Sequence, residues 1–206
     1  MSSFPIDFTK QAKLLEAYIF DNPADRQLVN GLLNKGYEIL VGLSTSYAQD
    51  IIKMALEPAI KEYCPNDSAQ RFTDMSAVSN WLSKGRAAFL LVKSDTKQLV
   101  GYGWAGDSIS RYIDSGQTTF AIRIGEAGQG LGLATAFARL ILASSSRLYN
   151  AKNFWLETWA SNGAAVHVYE KLGFKEIDGQ PDNRLTGDGG MVPDTRLYMS
   201  LDSSLL

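Results

Sequence analysis

Cysteine and histidine are nearly missing from this chain: among 206 residues there is one of each, Cys64 and His167. A single thiol excludes an intrachain disulfide and a cysteine-built zinc site, and it fits a reducing cytoplasm. Such a residue reads as a small apolar side chain. A single imidazole leaves neither a multi-histidine metal site nor a Cys–His nucleophile system with support, so no metal is expected. No sign of charge dominates either. Twenty basic against 22 acidic side chains give a net charge of −2, which speaks against nucleic acid or an anionic membrane as partner. Long apolar runs are absent too: the longest, from Ala87 to Val92, is too short to span a bilayer. The opening MSSFPIDFTKQ has neither the basic nor the apolar stretch of a signal peptide, so the expected location is cytoplasmic. With no repeats, low-complexity tract or linker, residues 1–206 read as one domain, long enough to bury a core unaided.

What is present is an alternation of helical and strand patterns. Leu14, Leu15, Tyr18 and Ile19 fall at helical spacing and predict a helix over 8–20, and a second helix begins at Pro23 and stops near Gly36. Together these form a helical N-terminal extension over 1–36. A strand at 37–43 follows, then one long helix over 46–63 ending at Pro65, and a helix at 75–82 closed by Gly85. Strands at 87–93 and 98–105, joined by SDTK, form a hairpin. In 118–125 Phe120, Ile122 and Ile124 alternate with Ala121 and Arg123, the pattern of a strand with one buried face. A helix to about 149 then places Phe137, Leu140, Ile141 and Leu148 on its core side. A strand at 154–160, a helix at 163–172, a short strand from Phe174 and a last strand at 196–201 complete the order. The connection 178–194, rich in Gly, Asp and Pro, reads as a long mobile loop.

The most informative stretch is FAIRIGEAGQGLGLATAFARL, where Gly128, Gly130 and Gly132 stand between a strand and a helix. The first turn of a helix has unpaired N–H groups and a positive dipole end, and residues without a Cβ let a pyrophosphate approach the backbone. A glycine-rich turn that only bends the chain remains the alternative. The P-loop pattern fails because no Lys-Ser or Lys-Thr pair follows the glycines. The dinucleotide fingerprint fits poorly, since its third glycine falls on Leu133 or Thr135, although Glu157 could imitate the ribose-binding acid.

At this loop the chain resembles the GNAT superfamily of acetyl-CoA-dependent N-acetyltransferases, whose phosphate loop reads Gln/Arg-x-x-Gly-x-Gly/Ala. Gly130 and Gly132 match, whereas Ala127 stands at the leading Gln/Arg position, with Gln129 the nearest polar residue. The stretch NFWLETWASNGAAVHVYEKLGF, 153–174, is similar to a second segment of the family, and most of all to ribosomal-protein alanine N-acetyltransferases. At 100° per residue Ala165 and Tyr169 lie within about 60° of Asn162 on one helix face; His167 turns to the opposite side and reads as structural or exposed. Gly173 reads as a helix stop.

The resemblance implies an α+β fold: a mixed, mostly antiparallel sheet flanked by helices and splayed open between 118–125 and 153–160, where acetyl-CoA enters. It implies that the backbone at Phe120 and Ile122 pairs with the pantetheine arm. The N–H groups of Gly128, Gln129, Gly130, Leu131, Gly132 and Leu133 would hold the pyrophosphate, and Asn162 would contact coenzyme A. Tyr169 would be the general acid at the sulfur and Glu157 the general base on the amine, with Glu126 and Asp107 in reserve. The chemistry asks for such a pair in any case, since an ammonium must lose a proton before attack and a thiolate leaves better with a proton donor. Arg123, Arg139, Arg147 and Lys152 make this segment locally basic, which suits a phosphorylated ligand. The implied activity is direct acetyl transfer to an unidentified small-molecule or peptide amine, with helices near 46–82 and the 178–194 connection forming the acceptor site. A homodimer is an open assembly. Two other readings stand beside it: a non-catalytic acyl-CoA sensor, motivated by Ala127, and a dinucleotide-binding oxidoreductase.

Overall fold

The computed structural model describes residues 12–108, 118–202 and 204. The elements are β1 (Lys13–Leu14), α1 (Pro23–Asn34), β2 (Tyr37–Val41), α2 (Thr45–Met54), α3 (Pro58–Tyr63), α4 (Met75–Leu82), β3 (Arg86–Lys93) and β4 (Leu99–Asp107). They continue with β5 (Thr118–Ile124), α5 (Ala134–Tyr149), β6 (Phe154–Trp159), α6 (Gly163–Lys171), β7 (Lys175–Leu185) and β8 (Met191–Leu201). All eight strands form one sheet in the order β1-β2-β3-β4-β5-β6-β8-β7, antiparallel at every step except β5–β6.

The apolar run at 87–92 is a strand with helices on both faces. Ala87, Phe89 and Leu91 join the core under α1, α5 and α6, while Ala88, Leu90 and Val92 join a second core under α2 and α4. Alternate side chains of a strand point to opposite faces, so a central strand covered twice must be apolar throughout. Close approach of α5 to the sheet depends on glycine in β4: a Cβ on Gly103 would lie 2.6 Å from Ile141 Cδ1 and 2.9 Å from the Ala121 carbonyl oxygen.

Four expectations are corrected. The helix over 8–20 falls partly outside the described residues, and from residue 13 onward the chain forms β1 and a single 3-10 turn at Ala17–Ile19. Leu14 and Tyr18 are exposed while Leu15 is buried, so the helical spacing has no matching core face. The helical extension over 1–36 is therefore helical only from Pro23, in α1, where Asn22 caps the Ala24 N–H at 2.9 Å. The long helix over 46–63 is two helices, because Pro58 cannot donate an N–H and holds Glu57 in an extended conformation. Leu148 is exposed, and Tyr149 takes the buried place instead.

The fourth correction is the largest. The connection at 178–194 is mostly strand, because β7 and β8 pair from Lys175↔Ser200 out to Leu185↔Met191 around a bulge near Glu176–Asp178. The two prolines that suggested a loop are tolerated by position. Pro181 lies in the edge strand β7, and Pro193 lies where β8 has run beyond β6, whose pairing ends at Trp159↔Arg196. Neither proline removes a ladder bond from a sheet interior.

Candidate active site

The sheet opens at its centre. Strand β5 pairs with β4 over seven positions, from Gly101↔Ile124 to Asp107↔Thr118. With parallel β6 it pairs only at Thr118↔Phe154 and Thr119↔Trp155, after which the strands diverge. A cleft of about 1080 Å³ runs through the gap, bordered by the glycine loop, α6, and the α3–α4 face of the sheet.

One wall is backbone. Thr118 N–H donates across to the Asn153 carbonyl, and by the two-residue alternation of a strand the N–H and C=O groups of Phe120 and Ile122 point the same way, into the split. The Ile122 carbonyl already accepts from the Arg123 guanidinium at 2.8 Å. Beyond Ile124 the chain passes through a 3-10 turn at Glu126–Gly128. A Cβ on Gly128 would lie 2.9 Å from the Val100 carbonyl oxygen, so this glycine lets the loop fold tightly on β4. Gly130 and Gly132 take φ of +72° and +67° with open space around them, a conformation that suits glycine. Leu133 roots the loop in the core while Leu131 is exposed. The N–H groups from Gly130 to Leu133 find no backbone acceptor among the described residues, and α5 starts without a side-chain cap. Unpaired donors at a helix N-terminus suit the phosphates of a nucleotide cofactor. Gln129 is spent differently from its expected role: its side-chain amide donates to the Ile124 carbonyl at 3.2 Å and closes the end of β5.

Helix α6 brings Asn162, Ala165 and Tyr169 to the same cleft. Asn162 caps the helix through Oδ1, which accepts from Ala165 N–H at 3.3 Å. Tyr169 is 5% exposed, with its ring edge-on to Phe120 and Phe174 at 6.2 and 5.8 Å. Burial pushes its phenol up to about 12, Arg123 opposing, and the hydroxyl has no hydrogen-bond partner among the described residues. It is therefore a protonated donor facing the cleft. His167 is exposed, as its helical phase indicates, and Gly173, at φ +92°, ends the helix as Phe174 N–H returns to the Tyr169 carbonyl.

The other wall is charged side chains. Glu157 lines the cleft from β6 and pairs with Arg196 at 3.4 Å, and the Arg196 guanidinium lies 4.0 Å over the Trp159 ring. Glu126 and Asp107, the reserve bases, do not line the cleft, and Glu126 uses its N–H to bind Glu57. Under this wall Asp67, 0% exposed, accepts from Arg123 at 2.7 Å, Arg71 at 2.8 Å and the Tyr102 hydroxyl at 3.1 Å. Burial alone would raise the Asp67 carboxyl, but the two guanidiniums hold it below its ordinary range. Farther out, Arg184 donates to Asp194 at 3.0 Å and to the Glu62 carbonyl and carboxylate at 2.6 and 2.7 Å, which fastens β7–β8 to α3.

Asp67, Arg71, Arg86, Trp104, Arg184 and Arg196 were not singled out as site residues by the sequence. Only Asp67 and Arg71 carried a local signal, an i, i+4 acid–base pair, and such pairs are ordinary on exposed helices.

A family model for an acetyltransferase (GNAT) domain matches residues 39–175. An N-alpha-acetyltransferase of Sulfurisphaera tokodaii is 30% identical over 104 residues, 47% of this chain and 61% of that protein, so the match spans under two thirds of the relative. Among solved structures, the spermidine N-acetyltransferase of Vibrio cholerae in complex with CoA and spermine superposes with a TM-score of 0.68 at 22% identity, over 83% of this chain and 98% of that one. The ribosomal-protein-S5-alanine acetyltransferase of Vibrio fischeri gives 0.60 at 13% identity, over 82% and 93%. The overall fold is shared with these proteins, and by the family model over residues 39–175 the chain belongs to the GNAT acetyltransferase family.

Proposed function

We propose that the protein is an N-acetyltransferase that moves the acetyl group of acetyl-CoA directly to an amine. The observation that carries this reading is one cleft holding both a phosphate-type amide loop and a buried, protonated, unpartnered tyrosine hydroxyl. Glu157 takes a proton from the acceptor ammonium. The amine nitrogen then bonds to the thioester carbonyl carbon as the carbon–sulfur bond breaks, the departing sulfur receives the Tyr169 proton, and the extra proton left on the new amide nitrogen restores the Tyr169 hydroxyl. The loop from Gly128 to Leu133 binds the pyrophosphate, the split-facing backbone of Phe120 and Ile122 aligns the pantetheine arm, and Asn162 offers its side-chain NH₂ beside it. The cytoplasm, where acetyl-CoA and a free thiol both persist, is the compartment this reading requires, and no helix among the described residues is long and apolar enough to cross a membrane.

Thermal unfolding with acetyl-CoA, coenzyme A and NAD tests the loop. Ligand at about a hundred times its Kd adds roughly 2.7 kcal/mol, a rise of about 5 to 11 °C at this size. Stabilisation by both coenzyme A species and not by NAD supports the assignment; stabilisation by NAD alone replaces it with the oxidoreductase. Acetyl-CoA binding with no transfer across a broad amine panel leaves the acyl-CoA sensor, for which Ala127 and the internally bonded Gln129 are the favouring features.

A further inference from the structure

The acceptor half of the cleft carries more positive charge than its chemistry needs. Arg71, Lys84, Arg86, Arg123 and Arg196 border it, against two carboxylates, Glu62 and Glu157. Both carboxylates are already paired, Glu62 with Arg184 and Glu157 with Arg196, and Arg71 and Arg123 share the single charge of Asp67. Arg86 has no carboxylate partner among the described residues. Its Nε is buried without a hydrogen bond, and Nη1 reaches only the Asp107 carbonyl at a long 3.4 Å. Burial, most of all, and the neighbouring Arg71 press its guanidinium pKa downward, with the Asp107 carboxylate opposing them in part from beyond ion-pair distance. A half-buried guanidinium with an orphaned donor beside a like charge is costly unless something anionic meets it.

The side chain is also held in place. A Cβ on Gly106 would lie 2.8 Å from Arg86 Cδ and 3.1 Å from Nη1, so glycine in β4 lets Arg86 lie across the sheet. Arg86 stands in one row with Gly106, Thr119 and Trp155, the row where the split begins. Three strand spacings, about 14 Å, separate its Cα from that of Trp155. By strand alternation Arg86, Trp155 and Glu157 are on one face, and Trp104 is among the residues lining the cleft there. Arg86 and Glu157 both line the cleft, so one small molecule lying in it would meet both.

We infer that Arg86, with Arg71 beside it, docks an anionic group on the acceptor, so that the amine to be acetylated belongs to a molecule bearing a carboxylate or a phosphate. This rests on the N-acetyltransferase reading. Guanidinium forks match both anions, and a polycation such as spermidine meets like charge at the same place.

The test is coenzyme A release measured with matched acceptors: amino acids against their amides, phosphoethanolamine against ethanolamine, and spermidine. The expected result is a preference of tenfold or more in kcat/KM for the anionic member of at least one pair, and which pair it is separates carboxylate from phosphate. Arg86→Gln should raise KM for that acceptor tenfold or more, with its kcat and the KM for acetyl-CoA unchanged, and should leave the uncharged member as it was. Equal or better use of uncharged amines or spermidine overturns the inference while transfer itself stands, as does an Arg86→Gln loss shared by both members. If no amine accepts, the transferase reading fails, and the anion site is then read with glutamate and inorganic phosphate as probes of thermal unfolding. Stabilisation of the wild type by either anion that Arg86→Gln abolishes supports the site; equal response of both proteins, or none, overturns it.

Discussion

The cofactor wall of the cleft, from Phe120 to Leu133 and along α6, is made of backbone groups, glycines and one tyrosine, whereas the acceptor wall is made of arginines held by carboxylates. The first presents N–H and C=O groups that any sequence with the right φ angles supplies, so it suits a ligand shared by many proteins. The second depends on pairs such as Arg184–Glu62, Arg123–Asp67 and Arg196–Glu157, each side chain of which is replaceable one at a time. On the proposed function, recognition of the common ligand and choice of the acceptor would be separated across one gap in the sheet. The walls differ in liability too. Disturbing the backbone wall strains a loop, while removing one acid from the side-chain wall strands a buried cation.

The largest expected effect is at the tyrosine that reaches into the gap between the two walls. Tyr169→Phe should lower kcat by about two orders of magnitude, the lower range for a lost proton donor, with the thermal stabilisation by acetyl-CoA intact. Loss of that stabilisation would place the hydroxyl in cofactor binding instead of proton transfer. Next comes Asp67→Asn, which leaves Arg123 buried beside a neutral amide. Breaking a buried pair from one side costs about 3–5 kcal/mol, so the melting temperature should fall by about 6 to 20 °C. The carboxyl is held below its ordinary range in the folded protein. Its contribution is thus complete above the unfolded value near about 4 and lost as pH drops through the folded one. Thermal unfolding followed from pH 7 downward should therefore steepen below about pH 4 in the wild type and less so in Asp67→Asn. A smaller effect is expected in the loop. Gly132→Ala meets no atom within 4 Å but must hold φ near +67°, a strain of about 1–2 kcal/mol, so the Kd of acetyl-CoA should rise about tenfold. Gly132→Asn, which tolerates that region better, should recover part of the loss.

These two walls were also unequally legible. The cofactor wall lies in two short stretches of chain, so its glycines, its helix starts at Asn162 and after Leu133, and the phase of Tyr169 are local facts of sequence. The apolar alternation of β5 and the unbroken run in β3 likewise placed the sheet. Pairing across the acceptor wall joins residues far apart in the chain, Arg184 with Glu62 or Arg123 with Asp67, and no local pattern announces such partners. The same limit explains the hairpin of β7 and β8. Glycine, aspartate and proline signal turns where the chain stands alone, but Pro181 and Pro193 pair within the β7–β8 hairpin beyond the sheet interior, and the signal reverses. In α2–α3 the reverse occurred: a helical pattern continued through Pro58, and the covalent limit on Glu57 prevailed over it.

The smallest expected effect tests whether the hairpin belongs to the acceptor wall alone. Arg184 Nε binds Asp194 while Nη1 binds Glu62, and its guanidinium lies 4.8 Å over the Tyr63 ring. The Tyr63 hydroxyl in turn donates to the Ser161 carbonyl at 3.3 Å, and the Ser161 hydroxyl donates to Asp194. Arg184 thus ties β7, β8 and α3 together, and Tyr63 and Asp194 extend the network to the turn before α6. Arg184→Met keeps the apolar stem and removes the fork. Amide hydrogen exchange at 182–194 should accelerate, because the hairpin tip keeps its ladder but loses its anchor. The acceptor KM should rise about threefold, with the KM for acetyl-CoA and kcat unchanged. A change in the acetyl-CoA KM of the same size would show that the anchor acts through Ser161 on α6, and the two walls would then be one mechanical unit rather than two.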